Sequence, residues 1–556
     1  MPHTDMLMVN AAIAFLPDAY DTSGEQLMGR HAAGESFLRG FLRYADVDKF
    51  LFWNAGTTPV ALADALLRRI EAPSKPVVWL DRARFSRIAE AGCLYSPQPD
   101  IAAQAWIRRL AGQRRYSLCG LTHTTASHAL QTMLADMLLA PVEPWDALIC
   151  TSAAVRDSVQ TGLDAVWDHL AARLGAARRP VVRLETIPLG LNTADFAHDP
   201  VQRRRWRDEL GIADGAVAAL YVGRFSYHAK MSPGPMAIAL ERAARATGRD
   251  VHWILCGWSP NPAADEAFHA GLREQAPSVK IHVLDGRRPD VRFSIWSAAD
   301  LFLSLSDNIQ ETFGLTPVEA MAAGLPGVIS DWDGYRDTVR DGIDGFRIPT
   351  WAPRPGLGAD LALRYAAGWD GYPQYLGVAA QFVAVDVTKA AAALAKLIAD
   401  PALRAQMGAA ARFRAECDFD WRAIIPRYQA LWGELAAIRL SAAAETRVPV
   451  DPWKLDPFTL FAGYPTAALQ PTSLLTLYPG ATAQGAAAML QAPQVGHAAH
   501  MLARPEELAA IMVRLAAGPA TVAELVAAFA PVRQGFVERS LLWLAKFGLA
   551  EIGPAG

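Results

Sequence analysis

The stretch Ser304–Thr338 reads SLSDNIQETFGLTPVEAMAAGLPGVISDWDGYRDT and concentrates residues able to do chemistry. Two carboxylates, Glu311 and Glu319, are separated by seven residues. Between them Gly314 allows a close approach of backbone to a ligand. The spacing predicts a helix start here, with Thr316 as N-cap, Pro317 at the first helical position and Glu319 at the third. Gly324-Leu325-Pro326 ends it. Free N–H groups and the macrodipole make such an N-terminus an anion site without any lysine on the helix. Glu319 has a second reading, as the closing half of a Thr316/Glu319 capping box. Glu311 has one too, as a solvated loop charge. Elsewhere, Arg224 and Lys230 follow a buried strand, six residues apart, and His123 ends the strand-like run Tyr116–Leu121. Surface cations are common and most lone histidines are structural, so each of these alone says little.

The elements that must position these residues alternate in type. Val9–Leu16, Lys49–Trp53, Pro76–Leu80, Ala147–Thr151 and Val181–Ile187 are short apolar runs separated by helical patterns. The pattern restarts with Ala216–Val222, Val251–Cys256, Lys280–Leu284, Leu301–Leu305 and Gly327–Ser330. Continuous apolar strands alternating with helices imply parallel sheets covered on both faces. Two such sheets in tandem, joined by a polar hinge at Pro188–Arg205, place a cleft at the carboxyl ends of their strands. Residues 350–382, rich in Gly, Pro and aromatics, read as an insertion. Helices resume over Thr388–Ile398, Pro401–Glu416 and Trp421–Ile438.

Composition narrows the function classes. A chain of 556 residues with 52% hydrophobic and 20% charged residues is globular, with material for three or four domains. Its net charge of −3 disfavours a dedicated nucleic-acid binder. No apolar run reaches the ~18–20 residues of a membrane helix. The start, MPHTDMLMVNAAIAFLP, lacks a basic residue before its apolar stretch and reads as a first strand, not a signal peptide. Five scattered cysteines with no C-x-x-C pair argue against a disulfide framework or a zinc knuckle. A cytoplasmic setting fits them, including one peripheral to a membrane.

The Glu311–Glu319 spacing followed by Ala-Met-Ala-Ala-Gly-Leu-Pro resembles the E-x7-E signature of GT-B fold retaining glycosyltransferases of the family 4 type. Val222-Gly223-Arg224-Phe225 with Lys230 is similar to the family's G-R-x…K element. Ile187-Pro188-Leu189-Gly190-Leu191-Asn192 with Phe196 resembles its hinge, and Gly342–Phe346 its G-x-x-G-F tail. Asp400-Pro401 and Phe419-Asp420-Trp421 resemble its crossover helices. Departures are Leu189, Met231 and Asp333-Gly334-Tyr335-Arg336-Asp337, where the family usually has Asn, Gly and G-G-x-x-E. The resemblance spans about residues 1–440 and implies two Rossmann-like domains: 1–195 for the acceptor, 196–440 for a nucleotide-sugar donor. It further implies that Arg224 and Lys230 clamp the diphosphate, with Gly314, Leu315 and Thr316 beside them, and that Glu319 holds the ribose hydroxyls. Glu311 would meet the donor sugar and the charge that develops on it, with His123 as a sugar contact. Gly29 and Arg30 resemble an acceptor loop. The resemblance carries no metal and no cofactor beyond the co-substrate. Asp331-Trp332-Asp333 imitates the metal motif of a different glycosyltransferase fold and reads here as loop residues facing the donor cleft.

Residues 441–499 read as linker and uncertain sequence, and 500–556 as a winged-helix-like unit. From Arg504 onward that unit has five Lys/Arg and five Asp/Glu, so it reads as a module for a protein partner or a second copy, not as a reader of nucleic acid. The acceptor remains open among a glycan, a lipid-linked glycan and a protein. Two rival functions are a nucleotide-sugar epimerase on the same fold and a sugar-nucleotide-sensing regulator acting through the winged helix.

Overall fold

The computed structural model describes residues 10–22, 29–443 and 451–553. It separates into two compact units, 1–448 and 449–556.

The first unit holds two parallel sheets, and their strands are the apolar runs seen in the sequence. The first sheet comprises β1 (Ala12–Ala14), β2 (Phe50–Trp53), β3 (Val77–Leu80), β4 (Cys93–Tyr95), β5 (Ser117–Leu121), β6 (Ala147–Cys150) and β7 (Arg183–Thr186). Their order is β3-β2-β1-β4-β5-β6-β7, so the winding reverses between β1 and β4. The second sheet comprises β8 (Val217–Val222), β9 (Val251–Gly257), β10 (Val279–Asp285), β11 (Leu301–Ser304), β12 (Gly327–Ser330) and β13 (Gly345–Ile348). Its order is β10-β9-β8-β11-β12-β13, reversing between β8 and β11. β4 and β13 were not legible as strands; one is three residues long and the other begins inside the G-x-x-G-F tail.

Each sheet has a core on both faces, which is why its strands are apolar on both sides. The Trp421–Ser441 helix crosses back to the first sheet, where Trp421, Ile424, Tyr428 and Trp432 join the core that holds Phe37 and Phe41. The hinge is pinned at the same place by a parallel bridge between Leu191 and Asp420. The insertion forms helices Ala359–Ala366 and Tyr372–Ala380, closed at the base by β14 (Thr350–Trp351) paired antiparallel with β15 (Ala384–Val385).

The second unit has its own core. β16 (Leu474–Leu477) lies between β17 (Ala520–Thr521) and β18 (Ala550–Gly553). Helices Pro505–Ala516, Val522–Ala527 and Pro531–Lys546 follow the helical spacing of the sequence, and the Thr521/Glu524 capping box is formed. This core begins well before residue 500: Leu475, Ala486, Leu490 and Val495 pack with Leu508, Ile511 and Leu541. Part of the stretch read as linker is therefore folded. Among the described residues no helix is long and apolar enough to cross a membrane.

Candidate active site in the inter-sheet cleft

Strand ends deliver the chemistry. Arg224 follows β8 and Glu311 follows β11, the two strands flanking the reversal of the second sheet. A doubly wound sheet opens a ligand crevice at that point. A cavity of about 440 Å³ lies there. Its wall includes Arg224, Lys230, Glu311, Gly314, Leu315, Thr316 and Glu319 from the second sheet's side. Gly29 and His123 come from the first sheet's side. Arg30 follows Gly29 in the Gly29–Tyr44 helix; its side chain lies outside the described residues.

Glu311 is held firmly. Its side chain is 13% exposed and receives Lys230 Nζ at 3.2 Å and the Thr312 N–H at 3.3 Å. Burial pushes its pKa up, but Lys230 and the N–H groups of Thr312 and Phe313 outweigh that and hold it below the usual carboxylate value. The result is a fixed anion in the cleft. Arg224 is the matching cation: burial lowers its pKa below the usual guanidinium value, and its guanidinium donates to Gln310 Oε1 at 3.3 Å. A desolvated cation of this kind favours an anionic ligand.

The helix start differs from the expected one. The Leu315–Ala322 helix has Gly314 as N-cap, not Thr316, and no side chain caps it. The Thr316/Glu319 capping box does not form. Gly314 takes φ +92°, a left-handed conformation, and a Cβ there would lie 2.3 Å from the Tyr335 ring. That turn starts the helix two residues early and puts Pro317, which has no N–H, inside the first turn. The uncapped N-terminus lines the cavity through Gly314, Leu315 and Thr316. Glu319, freed from capping, is raised to about 7 by burial, with Arg292 opposing the rise. A carboxyl group poised near neutrality beside a polar cavity can bind a diol once ionised.

His123 is half-buried, and its Nε2 is 2.6 Å from the Pro97 carbonyl oxygen. Asp331 and Asp333 do not line the cavity, contrary to expectation. Asp331 lies beside Arg347 at 3.6 Å and Arg336 at 3.7 Å. Asp333 sits at φ +44° and is raised to about 8, first by burial and then by the charge of Glu311. Among the described residues no group of three or more His, Cys, Asp or Glu could hold a metal.

Some site residues were not found from the sequence. Tyr372, in the insertion, places its hydroxyl 3.2 Å from both Thr124 Oγ1 and Gln310 Nε2. Tyr365 stacks on His128 at 4.0 Å. The insertion thereby joins the two walls of the cleft beside Glu311. A second tie is the Thr312 carbonyl oxygen, which accepts from Ser152 Oγ at 2.8 Å and Thr151 Oγ1 at 3.3 Å. The aromatic richness of 350–382 was the available signal, without a register to place it.

Residues 202–353 match the family model described as glycosyl transferases group 1. The matched residues include the whole of the second sheet. The chain is similar to the D-inositol 3-phosphate glycosyltransferase of Corynebacterium diphtheriae, 33% identical over 185 residues, covering 33% of this chain and 42% of that protein. The enzyme of the same name from Nocardia farcinica is 28% identical over 173 residues, covering 30% of this chain and 36% of the relative. The matched segments thus span less than half the length of these relatives. Among solved structures, Anabaena HepE in complex with UDP is 18% identical, covers 76% of this chain and 100% of that chain, and superposes with a TM-score of 0.48. The matched segment contains every cavity residue from Val222 to Glu319, among them Arg224, Lys230, Arg292, Glu311 and Glu319.

Proposed function

We propose that this chain transfers a sugar from a nucleotide-diphosphate sugar to an acceptor hydroxyl, with retention at the anomeric carbon and without a metal. The observation that carries the reading is the convergence of Arg224, Lys230, an uncapped helix N-terminus, the fixed anion Glu311 and Glu319 on one cavity.

In this reading the diphosphate lies against Arg224, Lys230 and the helix N-terminus, which stabilise the charge that grows as the sugar departs. Glu319 accepts from the ribose hydroxyls. Glu311 hydrogen-bonds the donor sugar and stabilises positive charge at the anomeric carbon. The acceptor oxygen bonds to that carbon on the face the diphosphate leaves, the carbon–phosphate-oxygen bond breaks, and the acceptor proton leaves on the released diphosphate. Gly29 stands on the acceptor side, and His123 contacts the donor sugar. The match to the group 1 family over the donor half supports this assignment.

The test is Glu311→Gln. It should lower transfer by about 10²-fold or more while the affinity for nucleoside diphosphate stays the same, since the lost charge acts on the transition state. Turnover at the wild-type rate would overturn the assignment. Activity should also persist in EDTA; a strict metal requirement would contradict the metal-independent reading.

A further inference from the structure

A second cavity, of about 310 Å³, opens inside the first sheet's domain. It lies at the carboxyl ends of β1, β4 and β5, where that sheet reverses its winding, the position at which doubly wound sheets hold ligands. Its volume is at the lower end of the roughly 300–1,000 Å³ of small-molecule sites. It is continuous with the cleft: Ala33, His123, Thr124 and Leu189 line both.

The two cavities differ in chemistry. Cleft residues include Glu35, Arg39, Asp195, Arg224, Glu311 and Glu319. The second cavity is walled by Tyr20, Phe37, Tyr95, Leu121, Met133 and Trp421, and among the described residues no Asp, Glu, Lys or Arg lines it. A phosphate or carboxylate placed there would lose its hydration without a cation to replace it. An apolar group would gain from leaving water. His123, a titratable nitrogen base on its wall, stands at the junction with the cleft.

We propose that this cavity is the acceptor subsite and that it takes the apolar part of the acceptor: an alkyl or aryl group whose hydroxyl passes His123 into the cleft. The inference rests on the glycosyltransferase reading for the word acceptor, but the binding site itself does not.

The experiment measures binding of the straight-chain alcohols butan-1-ol to octan-1-ol to the full chain by calorimetry, with no nucleotide present. Affinity should rise by about fourfold per added methylene until the cavity is full. Ala129→Trp and Met133→Trp add bulk at the cavity wall, Ala129 from an exposed helical position that tolerates a larger side chain. Each should lower octan-1-ol affinity by tenfold or more and leave UDP binding, read by thermal shift, as in the unsubstituted chain. Chain-length-independent binding, or octan-1-ol affinity unaffected by both variants, overturns the subsite. If the alcohols bind as expected but no nucleotide sugar is consumed, the glycosyltransferase reading fails and the apolar site stands.

Discussion

Lys230 and Glu311 form one unit at the residue scale. The ammonium at 3.2 Å is among the groups that hold this carboxylate below its usual pKa against the effect of burial. Lys230→Ala therefore has two effects. It removes a contact to the diphosphate, a loss of about 1.5–3 kcal/mol for a charge-assisted bond. It also raises the Glu311 pKa, so the variant's activity should fall further at pH 6 than at pH 8, whereas Arg224→Ala should lose activity evenly across that range. A pH–rate profile of both variants checks this. Glu319 gives a dependence of the same sign in the unsubstituted chain. Its pKa is raised to about 7, so it is neutral below that pH and becomes an acceptor-only carboxylate above it. Affinity for a nucleotide sugar, whose diphosphate does not titrate near neutrality, should rise between pH 6 and 8. In Glu319→Gln that rise should vanish; calorimetric titration at several pH values measures it.

The element that matters most is the turn into the Leu315–Ala322 helix. Gly314 holds φ +92°, and the Tyr335 ring closes over it. Tyr335 cannot swing away freely, because its hydroxyl bonds Ser304 Oγ at 2.9 Å inside the core. Gly314→Ala should cost about 1–3 kcal/mol from the backbone alone, with the ring clash added. A lower Tm together with weakened nucleoside diphosphate binding is the expected outcome, since the same turn aims the helix N–H groups. An unchanged Tm would contradict the left-handed turn. The insertion is the other decisive element: through Tyr372 it ties Thr124 to Gln310, and through Gln310 to Arg224.

At the scale of the whole molecule, every described residue that lines the cleft belongs to the first unit. The second unit has a core of its own, built from β16 to β18 and the helices between them. A chain ending at residue 445 should therefore bind nucleoside diphosphate as the full chain does, measured by thermal shift. Loss of that binding would place the second unit in the site. With five basic and five acidic residues from Arg504 onward, the second unit should bind duplex DNA no tighter than ~10⁻⁴ M at physiological salt. Tight, sequence-dependent binding in a gel-shift assay would revive the regulator reading.

Residue type and period carried the two-sheet architecture in the sequence. Strands buried on both faces must be apolar throughout, and Ala147–Cys150 or Val217–Val222 show it within a single window. The Glu311/Glu319 pair was legible for the same local reason: a strand end, a glycine turn and a helix start lie within one short segment. Contacts between distant segments were not legible. Sequence chemistry allowed Thr316 to cap the helix, but Tyr335, nineteen residues on, packs on Gly314 and the turn begins there. Tyr372 and Thr124 are 248 positions apart, and nothing local in either predicts the bond between them. The apolar cavity beside His123 is likewise a tertiary product. Its walls come from Tyr20, Tyr95, Leu121 and Trp421, each of which reads as an ordinary core residue until the crossover helix leaves a space among them.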